Sequence, residues 1–159
     1  MASLFRIYKQ NAKIIVEILG IKMTFKNPII NHLEDCCFIP DLDELRKKNV
    51  RFVHPIGIVI VRGAQLGSGC IIFQNVTIGK WRNKVPKLGN NVVVFPHALI
   101  LGDVEIGDNC IIGGGSVVTK SIPPNKVVVG NPARIIKDIE GKEDYWVHPE
   151  KYDDIQELD

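Results

Sequence analysis

Branched aliphatic residues recur at every sixth position through the middle of this chain, and this repeat restricts the possible folds more than any other feature. Two series of six-residue steps contain only such side chains, namely Leu66, Ile72 and Ile78, then Leu88, Val94, Ile100, Ile106, Ile112 and Val118. Small or branched residues lie four positions later, namely Cys70, Val76, Val92, Ala98, Val104, Cys110, Ser116 and Ile122. Only Arg82 breaks this second series, where the register is interrupted.

A period of six matches neither regular element, because an α-helix repeats every 3.6 residues and an extended strand every two. It fits short strands separated by turns, with three strands in each coil and successive coils stacked about 4.8 Å apart. The aliphatic residue then points inward, the small residue fills a corner, and the glycine that often follows the aliphatic residue permits a tight turn. The repeat therefore predicts a mainly β protein, a parallel β-helix.

The repeat is interrupted once, between Ile78 and Leu88, which are ten residues apart instead of six. Four extra residues must leave the column, which predicts a loop at 80–87. Stepping backward from the first series places His54 in an inward ladder position. The following Pro55 can disturb this register and turn the imidazole outward, and the sequence leaves both orientations open.

The two flanks of the repeat have a different character. Residues 2–18 carry apolar side chains at helical spacing before Gly20, which predicts a short N-terminal helix. Residues 41–48 predict a short helix or turn, and the polar segment beyond Arg134 predicts a C-terminal helix or loose tail from about Asp144. The predicted organisation is an N-terminal helical segment (1–50), a β-helix domain (51–136) and a C-terminal extension (137–159).

Composition narrows the class of protein further. The net charge of +2 is too small to favour nucleic acid as a partner, and no segment is apolar for long enough to predict membrane insertion. Two of the four cysteines fall inside the aliphatic repeat, and none has zinc-ligand spacing. These cysteines are typical of small apolar fillers in a reducing compartment, which predicts a cytoplasmic protein.

Two stretches resemble the serine acetyltransferases, a branch of the hexapeptide-repeat acetyltransferases that also contains O-acetyltransferases of bacterial surface-polysaccharide gene clusters. One, at 54–79, begins His-Pro-Ile-Gly-Ile-Val-Ile-Val and ends Phe-Gln-Asn-Val-Thr-Ile-Gly. The other, at 86–134, contains Gly-Gly-Gly-Ser-Val-Val-Thr-Lys and Gly-Asn-Pro-Ala-Arg. The resemblance implies a left-handed β-helix, a homotrimer with active sites between subunits, and transfer of an acetyl group from acetyl-CoA to a hydroxyl.

His54 aligns with the catalytic histidine of that family, so the resemblance implies that it is the general base, a role suited to the ordinary histidine pKa of about 6.5. The backbone N–H groups of Gly79 and Lys80 match the oxyanion position. His97 lies two coils higher, about 10 Å away at strand spacing, which is too far for a dyad within one subunit. We interpret His97 as an interface or coenzyme A cleft residue, or as a surface residue.

The coenzyme A contacts implied by the resemblance fall on five residues: Pro96, Gly114, Thr119, Lys120 and Arg134. Small residues let the pantetheine arm lie against the edges of the coils. The two cationic side chains can meet the phosphates of the coenzyme.

Several positions depart from the serine acetyltransferase pattern. Val53, Val85 and Lys84 stand where that family carries an aspartate, a histidine and an arginine. The acid that would orient the catalytic histidine is also displaced, and its candidates are Asp35, Asp41 and Asp43. Without these polar groups a zwitterionic amino acid is a poor acceptor. Trp81, between Lys80 and Arg82, can serve as a platform for a sugar ring, or it can anchor the loop by packing on a neighbouring subunit. Trp81 and Lys84 are the predicted substrate contacts, and the favoured acceptor is a saccharide or glycan precursor.

Three other functions stay open. The nearest is serine O-acetylation for cysteine biosynthesis, and another is a non-catalytic β-helix scaffold. The third is a metal enzyme resembling the γ-carbonic anhydrases, which needs three histidines at one ion. Only His54 and His97 fall within the repeat, so no metal site is predicted.

Overall fold

The aliphatic ladder forms the interior of a three-sided column. The computed structural model describes residues 37–141 and, before them, the backbone of three strands. All nine ladder residues are at most 4% exposed, and the corner series is buried as well. Ser116, the polar member of that series, accepts a hydrogen bond from the Gly130 N–H through its hydroxyl at 3.1 Å. Both predicted series are therefore confirmed as the core of a left-handed parallel β-helix.

The N-terminal segment contains three antiparallel strands, so the helix predicted over 2–18 is wrong. The strands are β1 (Phe5–Gln10), β2 (Lys13–Ile18) and β3 (Ile21–Lys26). Gln10 pairs with Lys13, and Ile18 pairs with Ile21. The reason is the sequence Lys-Ile-Ile-Val-Glu-Ile of β2, because β-branched side chains have restricted χ1 angles that favour strands over helices.

The second predicted helix is confirmed as α1 (Leu42–Lys47), which buries Leu45 against the base of the column. No helix in the described ranges is long and apolar enough to cross a membrane. The C-terminal helix or tail predicted from about Asp144 lies outside the described residues.

The column has three faces, each built from one strand per coil. Face 1 contains β4 (Arg51–Val53), β7 (Ile71–Phe73), β10 (Val93–Val94), β13 (Ile111–Ile112), β15 (Lys126–Val129) and the antiparallel β16 (Arg134–Asp138). Face 2 contains β5 (Val59–Ile60), β8 (Thr77–Gly79), β11 (Leu99–Leu101) and β14 (Val117–Val118). Face 3 contains β6 (Gln65–Leu66), β9 (Lys87–Leu88) and β12 (Glu105–Ile106).

Two edges of the column carry the candidate site. The 1/2 edge consists of the turns from face 1 to face 2, at 54–58, 74–76, 95–98 and 113–116. The 2/3 edge consists of the turns from face 2 to face 3, at 61–64, 80–86, 102–104 and 119–121. Backbone hydrogen bonds between coils hold equivalent turn residues one above the other, as from the Asn75 N–H to the Ile56 oxygen at 2.8 Å.

Face 1 is apolar on its outer side as well as its inner side. A second buried cluster on this outer side contains Val53, Ile71, Phe73, Val93, Ile111 and Val127. The rings of Phe73 and Phe95 stack there with their centroids 5.0 Å apart. The six-residue pattern did not predict this cluster, because it describes only the inward positions.

The cysteines of the repeat are core residues. Cys70 and Cys110 are fully buried, and each thiol points at a backbone carbonyl 3.2 Å away. Burial raises the pKa of the Cys70 thiol to about 11, so that the thiol stays neutral at physiological pH. Their predicted role as apolar fillers is consistent with this placement.

Candidate active site

The His54 imidazole is exposed because two extra residues lengthen the first turn of the 1/2 edge. Phe52 pairs with Ile72, and Ile60 pairs with Ile78. These first-coil residues are therefore eight positions apart rather than six, and Phe52 takes the inward position that the repeat assigned to His54. Of the two orientations that the sequence left open, the structure therefore has the outward one. His54 and Pro55 are the two residues of this turn that have no equivalent in the coil above. His54 has a left-handed backbone conformation with φ of 47°.

The turn that holds His54 is anchored by its neighbours. The Cys37 thiol lies 3.3 Å from the Pro55 carbonyl oxygen, which brings the segment before α1 beside this turn. Among residues 37–141, no carboxylate hydrogen-bonds to the His54 imidazole. Asp43 lies 3.9 Å from Arg46 instead, and Asp35 is outside the described residues.

Gln74 is a site residue that the sequence pattern missed. It lies on the 1/2 edge in the coil above the His54 turn, and its buried side-chain amide oxygen has no hydrogen-bond partner among the described residues. An unsatisfied buried acceptor costs about 1–3 kcal/mol, so it marks a place where a ligand or neighbouring molecule can supply a donor. The available signal was a polar side chain directly after the apolar strand β7.

Pro96, His97 and Gly114 occupy higher coils of the same 1/2 edge. A Cβ atom at Gly114 would lie 3.2 Å from the Pro96 oxygen, so glycine keeps this edge shallow. His97 is exposed with φ of 62°, and its backbone N–H donates to the backbone carbonyl oxygen of Gln74 at 3.3 Å. Within the described part of the chain, no three histidine, cysteine or acidic side chains are grouped closely enough to hold a metal ion.

Gly79 and Lys80 lie on the other edge, where β8 leaves face 2. The Gly79 oxygen accepts a hydrogen bond from the Gly102 N–H at 3.0 Å. A Cβ atom at Gly79 would lie 2.8 Å from Leu101 Cδ2, so a side chain there would require the end of the Leu101 side chain to move. The Lys80 N–H donates to no backbone carbonyl of residues 37–141.

The predicted loop after β8 is a short hairpin. Trp81 and Lys84 exchange two backbone hydrogen bonds, of 3.0 and 2.9 Å. Arg82 and Asn83 between them have φ of 47° and 64°, the pair of positive angles typical of a type I′ turn. The Lys84 ammonium lies 3.6 Å from the Asp103 carboxylate, and the Trp81 side chain is 61% exposed.

The remaining predicted coenzyme A residues lie near the upper end of the column. Thr119 and Lys120 are exposed on the 2/3 edge, and Lys120 lies two coils above Lys80. Arg134 is exposed at the start of β16, where its guanidinium donates to the Ala133 oxygen at 2.9 Å.

Nine of the ten predicted site residues therefore fall into two groups on different edges, and Arg134 lies apart from both in β16 on face 1. His54, Pro96 and Gly114 lie on the 1/2 edge, whereas Gly79, Lys80, Trp81, Lys84, Thr119 and Lys120 lie on the 2/3 edge. Five residue steps across face 2 separate the edges within one coil, about 16 Å of extended chain. One copy of the described chain does not bring His54 and the backbone of Gly79 and Lys80 together.

Comparison with known proteins agrees with this architecture. Residues 86–120 match the family model described as bacterial transferase hexapeptide (six repeats). A serine acetyltransferase of Synechococcus elongatus is 44% identical over 87 residues, which cover 52% of this chain and 36% of that protein. The galactoside O-acetyltransferase of Escherichia coli is 48% identical over 59 residues, which cover 37% of this chain and 29% of that protein.

Solved structures give the same result. The crystal structure of Brucella abortus serine acetyltransferase in complex with coenzyme A has a TM-score of 0.55 at 34% identity, and the match covers 57% of this chain and 38% of that one. The chain thus spans well under half the length of these relatives. Its β-helix thus matches the bacterial transferase hexapeptide model over residues 86–120 and is similar in sequence and in structure to serine acetyltransferases.

Proposed function

We propose that this chain is an acetyl-CoA-dependent O-acetyltransferase in which His54 is the general base. The observation that carries the proposal is the exposed imidazole, which the two-residue insertion directs out of the core and onto the 1/2 edge. A structural histidine in the ladder would be sealed inside the column. The similarity to serine acetyltransferases, one of them solved with coenzyme A, supports the same chemistry.

The two-edge arrangement favours a cyclic trimer. The outer side of face 2 carries Val59, Thr77, Leu99 and Val117 in register, and apolar surface of this kind favours association. If three copies turn face 2 toward a common axis, the 1/2 edge of each copy meets the 2/3 edge of the next. The base of one protomer and the oxyanion donors of its neighbour then line one cleft.

The reaction in this cleft is a simple acyl transfer. The acceptor oxygen attacks the thioester carbonyl carbon while His54 takes the hydroxyl proton. The Lys80 N–H of the neighbour, which has no backbone acceptor of its own among the described residues, donates to the oxyanion. The C–S bond then breaks, and the proton passes from the imidazolium to the coenzyme A thiolate.

Acetyl-CoA fits the walls of this cleft as a substrate. Pro96 and Gly114 leave one wall shallow enough for the pantetheine arm. Thr119, Lys120 and Arg134 place a hydroxyl and two cations near the upper end of the column, where phosphates would lie.

The acceptor has two candidates. The relatives favour L-serine, and they back it better than the saccharide that the sequence predicted. The residues around the acceptor position favour the saccharide, because Val53 is only 2% exposed and brings no charge, and because the exposed Trp81 indole offers a flat apolar surface.

Thiol release from acetyl-CoA tests the proposal, with L-serine and a panel of sugars as acceptors. We expect His54→Ala to bind coenzyme A as the wild type does but to lose at least about 100-fold in turnover, the usual scale for removing a general base. His148→Ala, outside the repeat, is the matched control and should keep full turnover. Near-wild-type turnover of His54→Ala would exclude the assigned base.

A further inference from the structure

Cations follow the 2/3 edge from coil to coil. The strand register places Arg62 below Lys80, Lys80 below Gly102, and Gly102 below Lys120. The three cationic side chains are exposed and stand in one column about 4.8 Å per coil apart. The fourth member of this column, Gly102, has no side chain and lies between Lys80 and Lys120.

The Trp81 side chain, which belongs to the hairpin, occupies the space that a side chain at Gly102 would take. A Cβ atom built on Gly102 would lie 2.9 Å from Trp81 Cβ and 3.6 Å from the indole Cγ and Cδ1 atoms. The Trp81 side chain therefore packs against Gly102, whose backbone is stacked between those of Lys80 and Lys120. The tight turn and the ion pair of Lys84 hold the hairpin in place, and the turn adds the exposed Arg82.

These cations differ from those on the neighbouring face. On face 3, the Lys87 ammonium lies 2.8 Å from the Glu105 carboxylate. Among the described residues, Arg62, Lys80 and Arg82 form no comparable ion pair, although Asp103 is close enough to engage Lys84. Counting only residues 37–141, the lower part of the edge therefore has unmatched positive charge beside an exposed aromatic ring.

We propose that this part of the edge binds an anionic saccharide as the acetyl acceptor, with Trp81 against the sugar ring and Arg62, Lys80 and Arg82 around its carboxylate or phosphate. The proposal rests on the O-acetyltransferase activity above and specifies its substrate class. A planar guanidinium suits a carboxylate or phosphate, and the indole supplies apolar contact for the ring carbons.

The phosphates of coenzyme A do not account for this charge. Lys120, the cation assigned to the coenzyme, lies two coils above Lys80, about 10 Å away at strand spacing. Arg62 lies one coil lower still. If Lys120 binds a coenzyme A phosphate at the upper end of the column, Arg62 and Lys80 remain available to bind a second anion.

The test compares acceptors that differ only in charge: a neutral hexose, the matching uronic acid, the matching hexose phosphate, and L-serine. We expect kcat/KM for an anionic sugar to exceed that for the neutral sugar by about tenfold, the scale of one charge-assisted hydrogen bond. Arg82→Gln should remove this preference while KM for acetyl-CoA stays unchanged. Lys47→Gln, on α1, is the matched control. The uronic acid and phosphate arms distinguish carboxylate from phosphate.

Tryptophan fluorescence gives a readout that does not depend on turnover. In a Trp146→Phe background, Trp81 is the single tryptophan, and anionic sugars should quench it without coenzyme A. Quenching that depends on Arg82 supports the inference even if no acceptor is acetylated, in which case the proposed activity fails alone. Four results would each overturn the inference. Two concern turnover: equal rates with neutral and anionic sugars, or activity with L-serine only. The other two are a higher KM for acetyl-CoA in Arg82→Gln and equal quenching by an unrelated polyanion.

Discussion

Face 2 and face 3 of the column have the same interior and opposite exteriors. Inward, both present ladder aliphatics that are at most 4% exposed. Outward, face 2 shows Val59, Thr77, Leu99 and Val117, whereas face 3 shows Gln65, Lys87, Glu105 and Ser121. On face 3 the Glu105 carboxylate accepts a hydrogen bond from Lys87 and raises the pKa of that ammonium.

This difference shows that the repeat determines the fold while the outward positions determine what each face meets. A solvated face satisfies its charges with each other, as Lys87 and Glu105 do. A face that is apolar outside as well as inside needs a partner. The 1/2 and 2/3 edges, which border face 2, carry nine of the candidate site residues. A second copy packed on face 2 would bring the 1/2 edge of one copy beside the 2/3 edge of the other.

The largest effect should come from a charge on the outer side of face 2. Leu99→Asp would bury an unpaired carboxylate between protomers, which costs several kcal/mol, so we expect dissociation to protomers and a loss of at least about 100-fold in turnover. Gln65→Asp places the same charge on face 3 beside Lys87 and should change neither. Light scattering coupled to gel filtration measures the assembly. A trimeric, active Leu99→Asp protein would refute the role of face 2.

The interiors should respond alike despite the different exteriors. Ile100→Ala beneath face 2 and Leu88→Ala beneath face 3 each leave a cavity in the ladder, and each should lower the free energy of unfolding by about 2–5 kcal/mol. Urea unfolding measures both. A cost confined to one face would contradict a continuous shared core.

A smaller effect should appear at the hairpin on the 2/3 edge. Gly102→Ala forces a side chain into a backbone with φ of 83° and against Trp81, whereas Gly63→Ala meets only the backbone strain of its φ of 90°. We expect about 1–2 kcal/mol from the strain in both, and a shifted tryptophan emission only for Gly102→Ala. Identical emission spectra would show that the indole does not lie over the glycine.

The smallest effect should come from the ion pair on face 3. Lys87→Gln removes the partner of Glu105, and because both side chains are more than half exposed we expect no measurable change in the urea midpoint. Activity and assembly should also stay at the wild-type level. A clear loss of either would place a functional surface on face 3.

The sequence predicted the column well because its core obeys one period. Every ladder position from Leu66 to Val118 and the loop after β8 are confirmed. The period could not predict a turn of different length, so it left the orientation of His54 open; the structure decides it, because Phe52 and Ile60 are eight residues apart. Helical spacing misled at the N-terminus, where strands form.

The candidate site was predicted only as separate residues. Similarity to a family assigns roles position by position, but the edge on which each residue lies depends on where each coil turns. The sequence could not identify Gln74 as a site residue, because the burial of its side-chain oxygen away from donors among the described residues depends on three-dimensional packing. The contact of Trp81 with Gly102 depends on the geometry of the hairpin.

Mixing two inactive variants tests the shared site most directly. His54→Ala disables the 1/2 edge, and Lys80→Pro removes the backbone N–H of the 2/3 edge. The two variants are refolded together in equal amounts so that they assemble randomly into cyclic trimers. About a quarter of the clefts then combine the intact 1/2 edge of a Lys80→Pro protomer with the intact 2/3 edge of a His54→Ala protomer. The account predicts recovery of about that share of wild-type turnover. A mixture no more active than its separate components would contradict it.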